Sequence, residues 1–393
     1  MSNMAFVSSK DIIQHMKKQY YSTLYRTLVQ KEDEIHKYDM FGPTPPNILV
    51  GSYNYPDVRV GTIMSMDKPI TNPSQLYGCD YETILKSFAL TLSGETRQEV
   101  KEKSYLVSNM QEAVLSSKPV DVELKFKTAP TLKPTYDPHS IPTGYKAIIR
   151  DMRVTENPTV PRVVDRMVND DVKAEDALNV LYHHGIDNYY MARLFTAGLM
   201  GMGQNKKLVP TRWSITAVDD ILAKHNMRIM RECPEINNVL VFENEFLFNR
   251  FTIMMIPGKW EYEQFEAWPS PSPWSTQWGF NEEYEPFEGR TKYAEAQAGG
   301  YYASRFPVTE YLTKARRQAR VVVIREIDQE YCIPVGVWQV RENVRHALQS
   351  EPKRFAAQKE AFDYIRPNLR VPLNNYISKS RLLTQRRLAE WLT

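Results

Sequence analysis

The spacing of hydrophobic and polar positions predicts both helices and strands along this chain. Apolar residues recur at helical intervals over residues 9–31 and 97–116. Apolar runs typical of strands occupy Ile48–Val50 and Val58–Met64, and the stretches "VDVELKF" and "NNVLVFENEFLFNRFTIMMI" also read as strands. Further along, a helix over about residues 300–319 precedes the buried-type strand "VVVI". Because these segments are interspersed without a repeat, the sequence predicts an α/β chain of mixed α+β type.

Composition changes most sharply at "WPSPSPWSTQWG", where prolines, serines and tryptophans interrupt the pattern. We place a boundary there, between an N-terminal module of residues 1–275 and a C-terminal module of residues 276–370. A loop packed onto the protein would have the same composition. From residue 371 the periodicity dissolves into "VPLNNYISKS". The sequence therefore predicts two packed modules and a mobile C-terminal tail over residues 371–393.

Charge and cysteine content narrow the classes of function. The 393 residues carry a formal net charge of only +3, so any basic surface for nucleic acid must be local. The three cysteines, Cys79, Cys233 and Cys332, lie far apart and supply neither a zinc motif nor a disulfide framework. Without a signal-type segment or a run of about eighteen apolar residues, we expect a cytoplasmic protein with no membrane partner.

The central stretch "KKLVPTRWSITAVDD", residues 206–220, concentrates basic, aromatic, hydroxyl and acidic side chains. In a functional interpretation, Arg212 and Trp213 bind a phosphate and a base by ion pairing and stacking. Asp219 or Asp220 would then hold a metal or a water molecule. In a structural interpretation, Arg212 pairs with an aspartate, Trp213 fills core, and the two aspartates begin a helix. Residue types favour the structural interpretation without excluding the functional one.

The stretch "GGYYASR" offers a second candidate. Gly299 and Gly300 could let the backbone approach a phosphate with Arg305 beside it, although the same glycines fit a loop before a helix. An enzyme acting on DNA or nucleotides would gather the candidate catalytic residues around one cleft. These candidates are Arg212, Asp219, Asp220 and Arg305.

Acidic side chains at "ENEF", "EYEQFE" and "NEEYEPFEGR" suggest a metal-dependent nuclease, which needs carboxylates converging on divalent ions. Within a strand, Glu243 and Glu245 share one face, and so do Glu261 and Glu263. Alternating charges are also typical of a solvated sheet face, and we favour that interpretation. The sequence thus assigns no metal site, and a divalent metal cofactor is expected only if the chain is such an enzyme.

A local basic surface is predicted at "TKARRQAR". Its members are Lys314, Arg316, Arg317 and Arg320. Together with Arg212 and Trp213 they are the candidate nucleic-acid-binding residues. A solvated helix face explains the same cluster equally well.

Several motifs, taken in order, carry a family resemblance. They are "NILVGSYNYPDVRVG", "KPVDVELKF", "KKLVPTRWSITAVDD", "GGYYASR" and "PVGVWQVRE". From about residue 40 to its end, the chain resembles the archaeal Nre family of DNA repair proteins. The resemblance implies a role in the response to DNA damage, in partnership with the PCNA sliding clamp through a C-terminal PCNA-interacting (PIP-type) motif. It implies no particular reaction.

The last residues fit that expectation by their spacing. Gln385, Leu388, Trp391 and Leu392 stand at i, i+3, i+6 and i+7, which places a polar residue and three apolar anchors on one helical face. This matches the clamp-binding pattern, except that Leu392 stands where a second aromatic residue is common. Alternatively, Trp391 packs the tail onto its own domain. We therefore predict a clamp-recruited adaptor that contacts DNA, with the enzyme hypothesis as its alternative.

Overall fold

Helices and strands are interspersed in a computed structural model that describes residues 9–29, 35, 37–132, 144–269 and 279–384. The helices are α1 (Ser9–Val29), α2 (Tyr81–Ala89), α3 (Tyr105–Val114), α4 (Arg162–Asn169), α5 (Ala174–His183), α6 (Asn188–Thr196), α7 (Thr211–Met230), α8 (Gly299–Ala315), α9 (Trp338–Gln349), α10 (Gln358–Ile365), α11 (Leu373–Lys379) and α12 (Arg381–Thr384). The strands are β1 (Asp39–Thr44), β2 (Ile48–Val50), β3 (Asp57–Ser65), β4 (Thr91–Glu99), β5 (Val120–Phe126), β6 (Thr131–Leu132), β7 (Tyr145–Val154), β8 (Val239–Phe246), β9 (Asn249–Ile256), β10 (Glu261–Trp268), β11 (Gly279–Glu285), β12 (Arg320–Ile327) and β13 (Lys353–Phe355). This content confirms the predicted mixed α+β class.

The N-terminal unit, Gln19–Leu222, is built on a sheet whose strand order is β1-β5-β7-β4-β3-β2, with β6 paired to β7. Strand β5 alternates buried apolar positions such as Val122 and Leu124 with more exposed polar ones, so only one face of the strand meets the core. Helix α3 packs near β7, and α6 packs near β2. The predicted strands 48–50 and 58–64 correspond to β2 and β3.

The C-terminal unit comprises the chain from Ala223 onward, with residues 9–18. Its sheet has the order β11-β10-β12-β9-β8-β13. Strand β12 is buried along its whole length. Val321 and Val323 pack with α8 and α9 on one face, whereas Val322 and Ile324 pack with α10 and α11 on the other. Because both faces are covered, the strand reads as the continuous apolar run "VVVI".

The helix predicted over residues 97–116 is present but begins later than predicted. Residues up to Glu99 belong to β4, and α3 begins at Tyr105. Ser104 marks the start of this helix, because its side chain accepts a hydrogen bond from Val107 N at 3.2 Å. The β4 residues inside the predicted range, Arg97, Gln98 and Glu99, are all polar, so no apolar alternation marked them as part of a strand.

The two units divide inside α7, between Leu222 and Ala223. The predicted boundary at residue 276 lies between β10 and β11, which are antiparallel neighbours in one sheet. The backbone hydrogen bonds between these strands explain why they belong to one unit. The "WPSPSPWSTQWG" stretch between them falls largely outside the described residues.

The flexible segment predicted from residue 371 is packed as far as residue 384, and this part of the prediction needs correction. Leu373 and Tyr376 on α11 and Leu382 on α12 are buried in the core of the C-terminal unit. The ring of Tyr376 lies 5.4 Å from that of Phe265 on β10. Most polar residues of this segment lie on its outer face, whereas Ser380 is buried. Residues 371–384 therefore pack as part of the C-terminal unit.

Candidate nucleic-acid interface and the base of the C-terminal tail

A tight turn between β2 and β3 presents two tyrosines to solvent. Tyr53 is 83% exposed and Tyr55 is 36% exposed. Asn54 between them adopts a positive φ of 60°, a conformation that asparagine tolerates better than most residues. Asp57 N donates to Asn54 O at 2.9 Å and closes the turn. The backbone conformation of "SYNYPD" therefore directs aromatic side chains outward.

The segment before α7 is fixed to the rest of the N-terminal unit. Leu208 N donates to Val100 O at 2.9 Å, and Val209 N donates to Thr196 O at 3.0 Å. A Cβ added at Gly198 would lie 2.5 Å from the Lys207 backbone, so glycine permits this close approach. These contacts hold the "KKLVP" segment in a defined position.

The first turn of α7 is tied to the end of β2. Thr211 Oγ1 accepts a hydrogen bond from Val50 N at 2.9 Å. Pro210 O accepts from Trp213 N at 2.8 Å and from Ser214 N at 3.0 Å, which starts the helix. The helix start thus lies beside the β2–β3 turn, although the two are distant in sequence.

The rings of Tyr55 and Trp213 lie 5.2 Å apart between centroids, inclined by 50°. Trp213 is 45% exposed, and Arg212 next to it is also exposed. The ammonium of Lys207 lies 5.6 Å from the centre of the Tyr55 ring. The exposure of Trp213 excludes the core-filling interpretation. Aromatic faces beside cations are the groups that proteins use to bind bases and phosphates.

The other proposed members of the cleft face inward. Asp219 is buried and Asp220 is half-buried, both further along α7. Arg305, in the C-terminal unit, is fully buried and forms an ion pair with Glu285. Because the Arg305 side chain is enclosed, it cannot take the predicted role at a substrate. Its pairing with a buried carboxylate is structural.

Gly300 has a structural role of its own. A Cβ at this position would lie 2.7 Å from Glu266 Oε1. That carboxylate accepts a hydrogen bond from Arg325 Nη1 at 2.6 Å within the C-terminal unit. The "GGYYASR" stretch therefore makes room for a buried ion pair, as the structural interpretation of these glycines allows.

Among the described residues, no group of three or more His, Cys, Asp or Glu side chains is arranged to hold a metal ion. The acidic stretches of the C-terminal sheet have separate partners. Tyr364 OH donates to Glu243 Oε2 at 2.9 Å, and Tyr284 OH donates to Glu261 Oε2 at 3.0 Å. A cavity of about 490 Å³ in the same unit contains none of the predicted site residues and is lined by Gly279, Phe280, Asn281, Glu282, Ala296 and Lys379.

The basic cluster near the end of α8 is only partly a surface feature. Lys314 and Arg316 are exposed and Arg317 is half-buried. Arg320 is buried at the start of β12, where its guanidinium donates to the carbonyl of Leu382. This burial removes Arg320 from the predicted basic surface. The others follow the C-terminal end of a helix, where cations also complement the helix dipole.

Two buried carboxylates, Glu263 and Glu326, hold the segment that leads to the tail. Nothing in the sequence singled out Glu326, and the pattern around Glu263 had indicated a solvated sheet face. Glu326 on β12 accepts hydrogen bonds from Val371 N at 2.9 Å and Tyr376 OH at 3.0 Å. Glu263 on β10 accepts from Arg381 N at 2.7 Å and from Ser380 Oγ. The alternation of Glu261 and Glu263 had suggested that both lie on a solvated sheet face. Glu263 is instead buried.

The stability of this anchor is expected to depend on pH. Burial raises the pKa of Glu263 to about 7, from a usual value of 4.5. The folded protein then binds more protons than the unfolded chain between those values, so stability falls as pH rises through this window. The change amounts to about 3 kcal/mol. Denaturant unfolding at a series of pH values should show this slope in wild type and lose it in Glu263→Gln.

Ser380→Ala is the matched control for that measurement. It removes a donor to the carboxylate but keeps the titrating group, so the pH slope should persist. Equal slopes in wild type and Glu263→Gln would show that Glu263 does not titrate in this range.

The predicted clamp-binding residues, Gln385, Leu388, Trp391 and Leu392, lie outside the described residues. The described chain ends at Thr384, the last residue of α12. The pattern therefore starts at the residue that follows the anchored segment. None of the helices within the described ranges is long and apolar enough to cross a membrane.

Comparison with known proteins places the chain in one family along nearly its whole length. A model of the N-terminal domain of archaeal Nre proteins matches residues 16–275, and a model of the C-terminal domain matches residues 285–393. The chain belongs to the archaeal Nre family. The first match ends at residue 275 and the second begins at residue 285, whereas the two structural units divide inside α7.

Three similar relatives carry names that refer to DNA repair. DNA repair protein NreA of Archaeoglobus fulgidus is 38% identical over 327 residues, covering 82% of each chain. DNA repair protein NreA of Haloferax volcanii is 32% identical over 81% of this chain and 80% of its own length. DNA repair protein NreB of A. fulgidus is 32% identical over 89% of this chain and 90% of its own. No solved structure matches the chain.

Proposed function

We propose that this protein acts in DNA repair, that the PCNA sliding clamp recruits it through residues 385–392, and that it contacts DNA directly. The process is supported by family membership and by the names of relatives that share most of their length with this chain. The recruitment is supported by one observation above all. The clamp-binding pattern begins at Gln385, the residue that follows the anchored helix α12.

The pattern suits docking into a pocket on a partner. A polar residue followed by three apolar anchors on one helical face can form a single turn when the anchors are buried. One short turn does not form stably in isolation, so its folding is coupled to binding. Calorimetric titration of the full chain with the archaeal clamp tests recruitment directly. A complex with one tail per pocket is expected, and no heat of binding would refute it.

Direct contact with DNA is supported by the exposed groups of the N-terminal unit. Arg212 and Lys207 offer cations at one place, and Trp213 and Tyr55 offer aromatic rings there. A small net charge does not prevent such binding, because phosphate contacts depend on local cations. Lys314, Arg316 and Arg317 supply a further exposed or half-exposed basic cluster on the C-terminal unit.

Binding to DNA is expected to weaken steeply as salt is added. Each phosphate neutralised by a lysine or arginine releases counterions, which gives a slope of about −0.9 per contact in a plot of log affinity against log salt. Replacing Lys207 and Arg212 together by alanine should make this slope shallower by about two contacts. Fluorescence anisotropy with labelled duplex DNA across a salt series measures both quantities.

Lys86→Ala is the matched control, since Lys86 is a half-exposed lysine of the same unit that is already paired with Glu82 at 2.7 Å. Its salt slope should equal that of wild type. Absence of binding at low salt, or affinity that does not change with salt, would contradict direct contact with DNA while leaving recruitment by the clamp intact.

A further inference from the structure

Two aromatic rings stand open to solvent where most proteins bury such groups. We call Tyr55 and Trp213 the aromatic pair; they come from the β2–β3 turn and from the first turn of α7. Trp213 exposes nearly half of its surface, and Tyr53 on the same turn is almost fully exposed. Exposed rings gathered at one place carry a cost in water, which a ligand that stacks on them would remove.

The aromatic pair is held in place before any ligand arrives. The hydrogen bond from Val50 N to Thr211 Oγ1 joins the two elements that carry the rings. The turn is closed by Asp57 N and Asn54 O, and the chain before α7 is bound to Val100 and Thr196. Little conformational entropy is therefore lost at the rings when a flat ligand stacks on them.

The charges around the aromatic pair favour an anionic partner. Lys207 is exposed and lies against the Tyr55 ring, and Arg212, also exposed, is the chain neighbour of Trp213. Asp57 and Arg59 follow the turn on β3, but each already has an oppositely charged neighbour: Arg97 at 3.9 Å from Asp57, and Glu95 at 3.7 Å from Arg59. The local balance is positive, and flat rings next to cations match the bases and phosphates of a nucleotide chain.

We propose that the aromatic pair stacks on unpaired bases of DNA while Lys207 and Arg212 contact the adjoining phosphates. This inference rests on the proposed function and names the form of DNA that the N-terminal unit selects. In a duplex, each base is covered on both faces by its neighbours, so an aromatic side chain has no face to stack on. Single-stranded gaps, flaps and frayed ends present those faces freely.

The test compares one strand and its duplex. Anisotropy with a labelled 15-nucleotide single strand, and with the same strand annealed to its complement, is measured for the full chain and for Trp213→Ala. Loss of one stacked base should weaken binding to the single strand by about 5- to 150-fold. Binding to the duplex should change by no more than about twofold, since phosphate contacts alone support it. Trp213→Phe, which keeps a flat ring, should recover most of the lost affinity.

Tyr105→Ala is the matched control, because Tyr105 is 65% exposed on α3 of the same unit and lies outside the aromatic pair. Its affinity for both DNA forms should equal that of wild type. Thermal melts of each variant establish that folding is retained; if Trp213→Ala unfolds, the comparison of Trp213→Phe with Tyr55→Ala carries the test.

Four results would overturn the inference. They are unchanged single-strand affinity in folded Trp213→Ala, equal losses for single strand and duplex, equal losses in Tyr105→Ala, and loss of clamp binding in Trp213→Ala with DNA affinity intact. The last would assign the rings to a protein partner. In each case wild-type binding to duplex and clamp would still support the proposed function, whereas absence of all DNA binding would remove its direct-contact part as well.

Discussion

Replacing Leu388 and Trp391 together by alanine is expected to abolish binding to the PCNA sliding clamp. Burial of Leu388, Trp391 and Leu392 in a clamp pocket stabilises the complex by roughly 1.5 to 3 kcal/mol for each side chain. Ordering the peptide and losing its free motion offset several of those kcal/mol, so the tail alone should bind with an affinity in about the micromolar range. With two of the three anchors removed, the free energy of burial no longer exceeds the cost of ordering the peptide. Calorimetry with the purified clamp gives the result.

Glu390→Gln serves as the control, because Glu390 stands between the anchors in the pattern. A charge at the rim changes encounter rates more than final affinity, so this variant should still bind. Wild-type affinity in the double variant would refute the tail as the docking site. A large fall in its melting temperature would instead assign Trp391 to the core of the protein, as the alternative interpretation holds.

Truncation after Arg370 is expected to unfold the C-terminal unit, whereas truncation after Thr384 is not. The longer deletion removes four buried apolar side chains, each worth roughly 1.5 to 3 kcal/mol. They are Val371, Leu373, Tyr376 and Leu382. It also removes the Ser380 and Arg381 donors of Glu263, and the Val371 and Tyr376 donors of Glu326. The sum is comparable to the whole stability of a typical domain, about 5 to 15 kcal/mol. Circular dichroism and thermal melts of the two truncated chains distinguish them.

A single substitution tests the packing of the same segment without deleting it. Leu382→Ala should destabilise the protein by about 2 to 5 kcal/mol, because the cavity left in a buried site cannot fully collapse. Arg386→Ala, beyond Thr384, should stay within about 0.5 kcal/mol of wild type. If Leu382→Ala melts like wild type, residues 371–384 do not belong to the core.

Local patterns predicted the central strands well and the last helices poorly. The run "VVVI" indicated a strand buried on both faces, and β12 is one. The apolar residues of the segment 371–384 are divided between two short helices, so no helical period is long enough to be recognised and the segment resembles a linker. Besides burying apolar side chains, it is held by Glu263 and Glu326, which lie on strands far away in sequence. Because these partners lie outside the segment, its own sequence shows no periodic pattern that would reveal them.

The same limit applies to the candidate site. Arg212 and Trp213 stood out by residue type, and the structure exposes both. Tyr55 could not be joined to them from sequence, because the chain brings the β2–β3 turn and α7 together only in the fold. Arg305 and Arg320 were misjudged for the opposite reason. Their neighbours along the chain did not reveal that Arg305 would pair with Glu285, or that Arg320 would donate to the Leu382 carbonyl.

Under the proposed recruitment, the packing of residues 371–384 limits the distance over which this protein can search from a clamp. A flexible spacer of that length would give an average reach of about 20 Å, and the body could swing around its attachment point. Because those residues instead form α11 and α12, which pack onto the C-terminal sheet, that search radius is absent. A clamp-bound copy would then sit close against one face of the ring. The DNA within its range is the stretch that emerges from that face, and a second client of comparable size would compete with it for the same space.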